Sequence, residues 1–212
     1  MNASHGTRRQ SGFSLLEMMI VLAIMMIASS ITFMSLQPVL RQQRVTNSYN
    51  IVLSALRQAR DNSVAQRTSY MVTFNAGATP STVRVEPTFA GFQGALAPVT
   101  YSLPIGVKFD NEPGIPNTNL TTPDRFGLGA NAVDFGYTGQ GVGLGGSSVI
   151  YFCPDGSAQD SAGCSGNLNN GVVYIARPGE LLSSRAISVW GATGRIRGWR
   201  LYSGGGPNWQ RQ

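Results

Sequence analysis

Three small sets of side chains in this sequence have types and spacings that imply chemistry. The first is a lone carboxylate in an apolar run. Residues 13–36, FSLLEMMIVLAIMMIASSITFMSL, carry one charge, Glu17. Placing an acid inside a membrane costs about 2.5–3.5 kcal/mol even on the gentler scales, so Glu17 calls for a partner. Were the chain cut between Gly12 and Phe13, a new ammonium would appear at Phe13, about one helical turn away. Pairing within one chain or between neighbours would then offset the cost. Between neighbours it would also fix the axial register of packed helices. The second set is Cys153 and Cys164, the only two cysteines. The third is Arg195, Arg197 and Trp199, which strand alternation places on one face. Two guanidiniums and an indole on one face could hold phosphates and stack a base, which makes DNA a candidate partner. The competing reading is a strand face made soluble by arginine.

Most other chemistry is missing. The only histidine, His5, precedes Gly12. A chain cut after Gly12 would have none, which removes Ser-His-Asp, Cys-His and histidine-ligated zinc sites. Lys108 is the only lysine and sits between Val107 and Phe109 in a strand-like run. It reads as a surface residue. Asp110 and Glu112 share a turn with Pro113 and Gly114 and read as a solvated loop. Gly141, Gly143 and Gly146 fit G-x-G-x-x-G in form only, because a β-like run follows where a nucleotide-binding glycine loop needs a helix. The expectation is a chain that is not an enzyme and needs no cofactor or metal.

These side chains need elements to place them. Arg8 and Arg9 precede the apolar run, which is long enough to span a bilayer as a helix. By the positive-inside rule the N-terminus is cytoplasmic and everything after about residue 38 is exported. An ordinary signal peptide would be cut near Ala28-Ser29-Ser30. The length of the run and the carboxylate inside it count against that. Outside the cell membrane, the two cysteines read as a disulfide around Asp155-Gly156, since the spacing is not C-x-x-C and no histidine is near.

Pro38 marks a kink or break in the helix. Beyond it, Val45, Tyr49, Val52, Leu56, Ala59 and Ser63 recur at helical spacing and form a core-facing stripe. From Ser69 the period becomes two. Strands are expected near 70–74, 82–86, 99–103, 107–109, 149–153, 172–176, 186–190 and 196–202. Residues 110–147 read as a long loop, with a short strand at 133–137. Charged residues make up 12% of the chain and 26 residues are glycine. That mix suits strands and turns with an uncharged polar surface. The net charge of +6 is unevenly spread. Residues 86–160 hold seven acids against two bases, and residues 177–212 hold six arginines against Glu180. A helix followed by strands argues for an α+β fold, the helix packed on an antiparallel sheet.

Gly12-Phe13-Ser14-Leu15-Leu16-Glu17 resembles the prepilin signal G-F-[ST]-L-x-E. The segments Val149–Ser157, Gly171–Ile175, Arg185–Val189 and Thr193–Arg197 are similar to the C-terminal half of the GspH/FimT family. That family comprises minor pseudopilins of type II secretion and minor pilins of type IV pili. The resemblance implies a pilin-like fold, cleavage by prepilin peptidase after Gly12 and N-methylation of Phe13. It further implies Glu17 as the assembly residue and other pilins as partners. A minor pilin or pseudopilin is expected, anchored in the inner membrane with a periplasmic head and later assembled into a filament. Gly194-Arg195-Ile196-Arg197 resembles the G-R-x-R pattern tied to DNA uptake in the pilus branch. The expected organisation is a leader over 1–12, a spanning helix over 13–36 and an amphipathic helix over 37–68. A β-rich head over 69–203 and a tail over 204–212 complete it.

Overall fold

The computed structural model describes residues 13–89, 97–118, 120, 124–127, 129, 131–137 and 146–212. It divides into two units, Met1–Arg41 and Gln42–Gln212. One helix, α1 (Leu15–Gln66), contributes to both. Of the kink or break expected at Pro38 it shows no break, since the helix continues through that residue.

In the first unit every residue from Phe13 to Arg41 is exposed. The helix nevertheless leaves few polar groups unmet. Ser29, Ser30, Thr32 and Ser35 each donate their hydroxyl to the carbonyl four residues back, at 2.7–3.1 Å. A helix that meets lipid needs this, because hydrocarbon supplies no acceptor. The stretch is long and apolar enough to cross a membrane.

In the second unit the helix buries Val45, Ser48, Tyr49, Val52, Ala55, Leu56, Ala59 and Ser63. This is the stripe that the helical spacing picked out, with the small residues Ser48 and Ala55 added. Two antiparallel sheets cover it. The first contains β1 (Tyr70–Asn75), β2 (Thr82–Pro87), β3 (Val99–Ser102), β6 (Val149–Phe152) and β7 (Ala158–Gln159). Its order is β3-β2-β1-β6-β7. The second contains β4 (Lys108–Phe109), β8 (Asn170–Ala176), β9 (Arg185–Trp190), β10 (Arg195–Ser203) and β11 (Pro207–Arg211). Its order is β11-β10-β9-β8-β4, and β5 (Val133–Tyr137) also pairs with β8. Alternate residues of the strands, among them Val72, Val83, Ile150, Val173 and Ile187, meet the helix in one apolar core. The fold is the expected α+β arrangement, with antiparallel sheets in place of one.

Three local contacts lock the helix to the strands. Arg60 donates from Nε to the Gly156 carbonyl at 3.4 Å and from Nη2 to the Thr193 carbonyl at 3.2 Å. Ser63 donates to the Cys153 carbonyl at 3.0 Å. Tyr49 lies against Gly198, where a Cβ would come within 1.5 Å of the phenol oxygen. Glycine is therefore the residue that lets β10 pass the helix at that point.

The nine C-terminal residues are not the tail that was expected. Pro207–Arg211 pair with β10, from Ser203↔Pro207 to Trp199↔Arg211. The turn that reverses the chain is Gly204-Gly205-Gly206, with φ of +66° and +124° at the last two. Runs of glycine adopt such angles without strain, so the stretch that reads as a flexible end is a hairpin turn.

Gly198→Ala should lower stability by about 1–3 kcal/mol through overpacking against Tyr49. Gly204→Ala, which meets nothing within 4 Å, should change it by less than about 0.5 kcal/mol. Thermal melts followed by near-UV circular dichroism would check the pair. Equal melting of the two variants would contradict the close approach.

Candidate functional site

At the N-terminal end, Phe13 and Ser14 precede the helix, and the Ser14 carbonyl accepts from the Glu17 and Met18 N–H groups at 3.0 and 3.1 Å. Glu17 lies in the first turn, where the helix dipole favours a negative charge. Phe13 and Glu17 are both exposed. Gly12 and the leader residues His5, Arg8 and Arg9 lie outside the described residues, so the proposed cut has its second residue alone in view.

Cys153 and Cys164 form a disulfide, with Cα atoms 5.8 Å apart. The enclosed loop turns at Gly156, whose φ is +82°. Ser157 donates its N–H and its hydroxyl to Asp155 Oδ1 at 2.8 and 2.7 Å. Those two hydrogen bonds hold the Asp155 carboxyl below its ordinary value of 3.8. The disulfide thus staples the loop that Arg60 and Ser63 use to grip the sheet.

The arginine strand departs from the sequence reading. Arg195, Arg197 and Trp199 do share a face of β10, but that face is not open. Trp199 is 3% exposed and donates from Nε1 to Ser188 Oγ at 3.0 Å. Its ring meets Phe126 with centroids 5.4 Å apart, and Phe126 meets Trp209 of β11 at 5.3 Å. Phe126, Val172, Tyr174, Ala186 and Trp199 form a second apolar cluster on the outer face of the second sheet. An indole enclosed this way cannot stack a base, so Trp199 is a packing residue. Both arginines turn to one acid. Arg195 lies 3.5 Å from Asp124, and Arg197 donates to the other carboxylate oxygen of the same residue.

Between 110 and 147 the described residues form loops and the expected short strand β5, but the loop is not solvated throughout. Phe126 is fully buried, and Glu112 is 7% exposed with Oε1 accepting from the Gly179 N–H at 2.9 Å. Glu112 is therefore a structural acceptor and not a solvated loop acid. Asp134 is buried in β5 and accepts from the Gly146 N–H at 2.6 Å. Gly146 is thereby tied to β5, while Gly141 and Gly143 lie outside the described residues. The signal for this covering layer was the charge asymmetry. The acidic middle folds onto the basic C-terminal part, with Asp124 as the clearest link. Lys108 is exposed on β4. Among the described residues no group of three or more His, Cys, Asp and Glu side chains could hold a metal ion.

The prokaryotic N-terminal methylation motif matches residues 7–33. No curated protein and no solved structure matches the chain. The motif covers Gly12, Phe13, Glu17 and the start of the apolar helix. Together with the α+β architecture it supports a type IV pilin-like protein with a structural role, anchored in the inner membrane.

Asp124→Asn should leave two arginines facing an uncharged amide. The guanidiniums are partly exposed, so the loss should be about 1–2 kcal/mol. Acrylamide quenching of tryptophan fluorescence should rise as the covering layer loosens. Unchanged melting and unchanged quenching would show that the triad holds nothing in place.

Proposed function

We propose that the chain is a minor pilin or pseudopilin. It is made as a prepilin, cut between Gly12 and Phe13 by prepilin peptidase, methylated at Phe13, and built into a type IV pilus or type II secretion pseudopilus. The observation that carries this reading is the first unit itself. All twenty-nine residues from Phe13 to Arg41 are exposed, and the only acid among them is Glu17. Such a helix is stable in lipid or among like helices, and in water it is a liability. In lipid Glu17 lacks a counter-charge in its own span. The ammonium created at Phe13 supplies one within about a turn. In a filament the same pairing between neighbours sets register, because a mismatched subunit would bury a bare carboxylate.

The second unit has the properties of a displayed head. It has its own core, a disulfide suited to an oxidising compartment, and few surface charges. DNA capture through Arg195, Arg197 and Trp199 is not favoured, since Trp199 is enclosed and Asp124 engages both arginines. The choice of the GspH/FimT branch rests on the C-terminal sequence segments.

Two variants test the reading. Gly12→Val puts a branched side chain where the peptidase accepts a small one, and the uncut precursor should accumulate in the membrane. Glu17→Ala should still be cut and inserted, yet be depleted from sheared filaments. Cleavage of Gly12→Val at the native rate would contradict the processing step. Normal incorporation of Glu17→Ala would contradict the register role.

A further inference from the structure

Arg185 and Arg200 are direct neighbours across the β9–β10 ladder. Arg185 is 2% exposed, and its Nη1 donates to the carbonyls of Ser183 and Ser184 at 3.2 and 3.3 Å. Burial and the adjacent Arg200 charge push its guanidinium down to about 10. Arg200 lies over the Tyr202 ring, 4.8 Å from its centroid, and its Nε is buried without a hydrogen-bond partner. Two cations side by side, one of them buried, ordinarily bring a carboxylate with them. None is there. All ten side-chain acids of the chain lie among the described residues, and none forms a salt bridge with either arginine. The groups whose charge acts on Arg185 are Arg200, Tyr202 and Tyr49. Two neighbouring cations with no acid paired to them leave a local positive potential that attracts an anion from outside the chain.

The strand geometry says which end of the second unit this is. The β9–β10 turn lies at Arg60, through Thr193, and β10 reaches Tyr49 at Gly198. Arg60 to Tyr49 covers about 16 Å of helix, and Thr193 to Gly198 covers about 16 Å of strand, so the strand runs alongside the helix toward Gln42. Arg200 and Tyr202 continue past Tyr49 in that direction. Arg44 is near the same end and donates to the carbonyl of Ile105 at 3.5 Å. Ile105 sits on a turn and is 82% exposed, and Tyr202 is 37% exposed. This is the end of the unit at which the chain arrives from its apolar run. Arginine and a partly exposed tyrosine favour a membrane–water interface, and a bare isoleucine gains by leaving water for its apolar side.

We propose that this end of the head is a footing for the membrane surface, in which Arg200 and Arg44 bind the phosphates of anionic phospholipids and Ile105 and Tyr202 enter the headgroup layer. Arg185 holds the positive potential from beneath. The footing would steady a subunit in the bilayer before assembly and release it when the helix leaves for the filament. The inference rests on the membrane-anchored reading.

The test uses the full chain in nanodiscs of phosphatidylcholine alone or with phosphatidylglycerol. Alkaline carbonate extraction first shows whether the chain is integral, and a soluble chain would overturn both readings. Amide hydrogen exchange is then followed at 103–107 and 198–206. In the anionic discs these segments should exchange more slowly, by about fivefold for each arginine engaged. Arg200→Gln with Arg44→Gln should abolish the difference, and Arg200→Lys with Arg44→Lys should retain most of it. Arg67→Gln, beyond the other end of the helix stripe, should leave it unchanged. Equal exchange in the two lipids would overturn the footing, as would a difference that survives the double glutamine variant. If inorganic phosphate in phosphatidylcholine discs gave the same protection, the site would be one for a free oxyanion and the lipid proposal would fall.

Discussion

The second unit depends on one stripe of α1. Val45, Tyr49, Val52, Leu56, Ala59 and Ser63 give both sheets a common surface, and each sheet without it would expose an apolar face. Antiparallel sheets with one apolar face need such a cover. Stripe and strands are matched in detail at three places. Gly198 makes room for Tyr49, Arg60 receives the β9–β10 turn and the disulfide loop, and Ser63 closes onto Cys153. Burial of the stripe drives the fold, while these polar and steric contacts fix the rotation and height of the helix.

The second sheet then has a further demand that the helix cannot meet. β8 is buried along its whole length, so its outer face also needs a cover. The segment around Phe126 and the hairpin partner β11 provide it, with Asp124 drawn onto Arg195 and Arg197. This layer explains why the arginine strand is not a free cationic ribbon. Arg185 and Arg200, which form no salt bridge, are on the helix side of the same sheet.

Much of this was legible in the sequence, and the reasons differ by element. Periods of 3.6 and 2 identified the helix stripe and nearly all the main strands, because apolar residues there face one core. The disulfide followed from export and from a lone pair of cysteines. The outer layer was legible only as a charge asymmetry, which named no residue of its core. Phe126 stands among Gly, Pro, Asn and Thr, with no period to mark it, and its burial comes from a partner face far along the chain. Trp199 failed for a related reason. Alternation correctly gave its face, but alternation says nothing about what covers a face. The strand at 207–211 was hidden because three glycines read as a loose end when they are a turn. Pro38 was read as a kink or break, and α1 continues through it without a break.

The first unit is governed by the opposite constraint. Its described residues are all exposed, and its only acid is four residues from Phe13. Processing would turn that cost into a means of assembly, by making an ammonium where a peptide bond had been. Intact-mass spectrometry of the protein extracted from membranes tests this most directly. The account predicts a chain that begins at Phe13, carries one methyl group on its amine and retains the Cys153–Cys164 bond. A chain that begins near Ile31, or one that keeps the leader through Gly12, would contradict it.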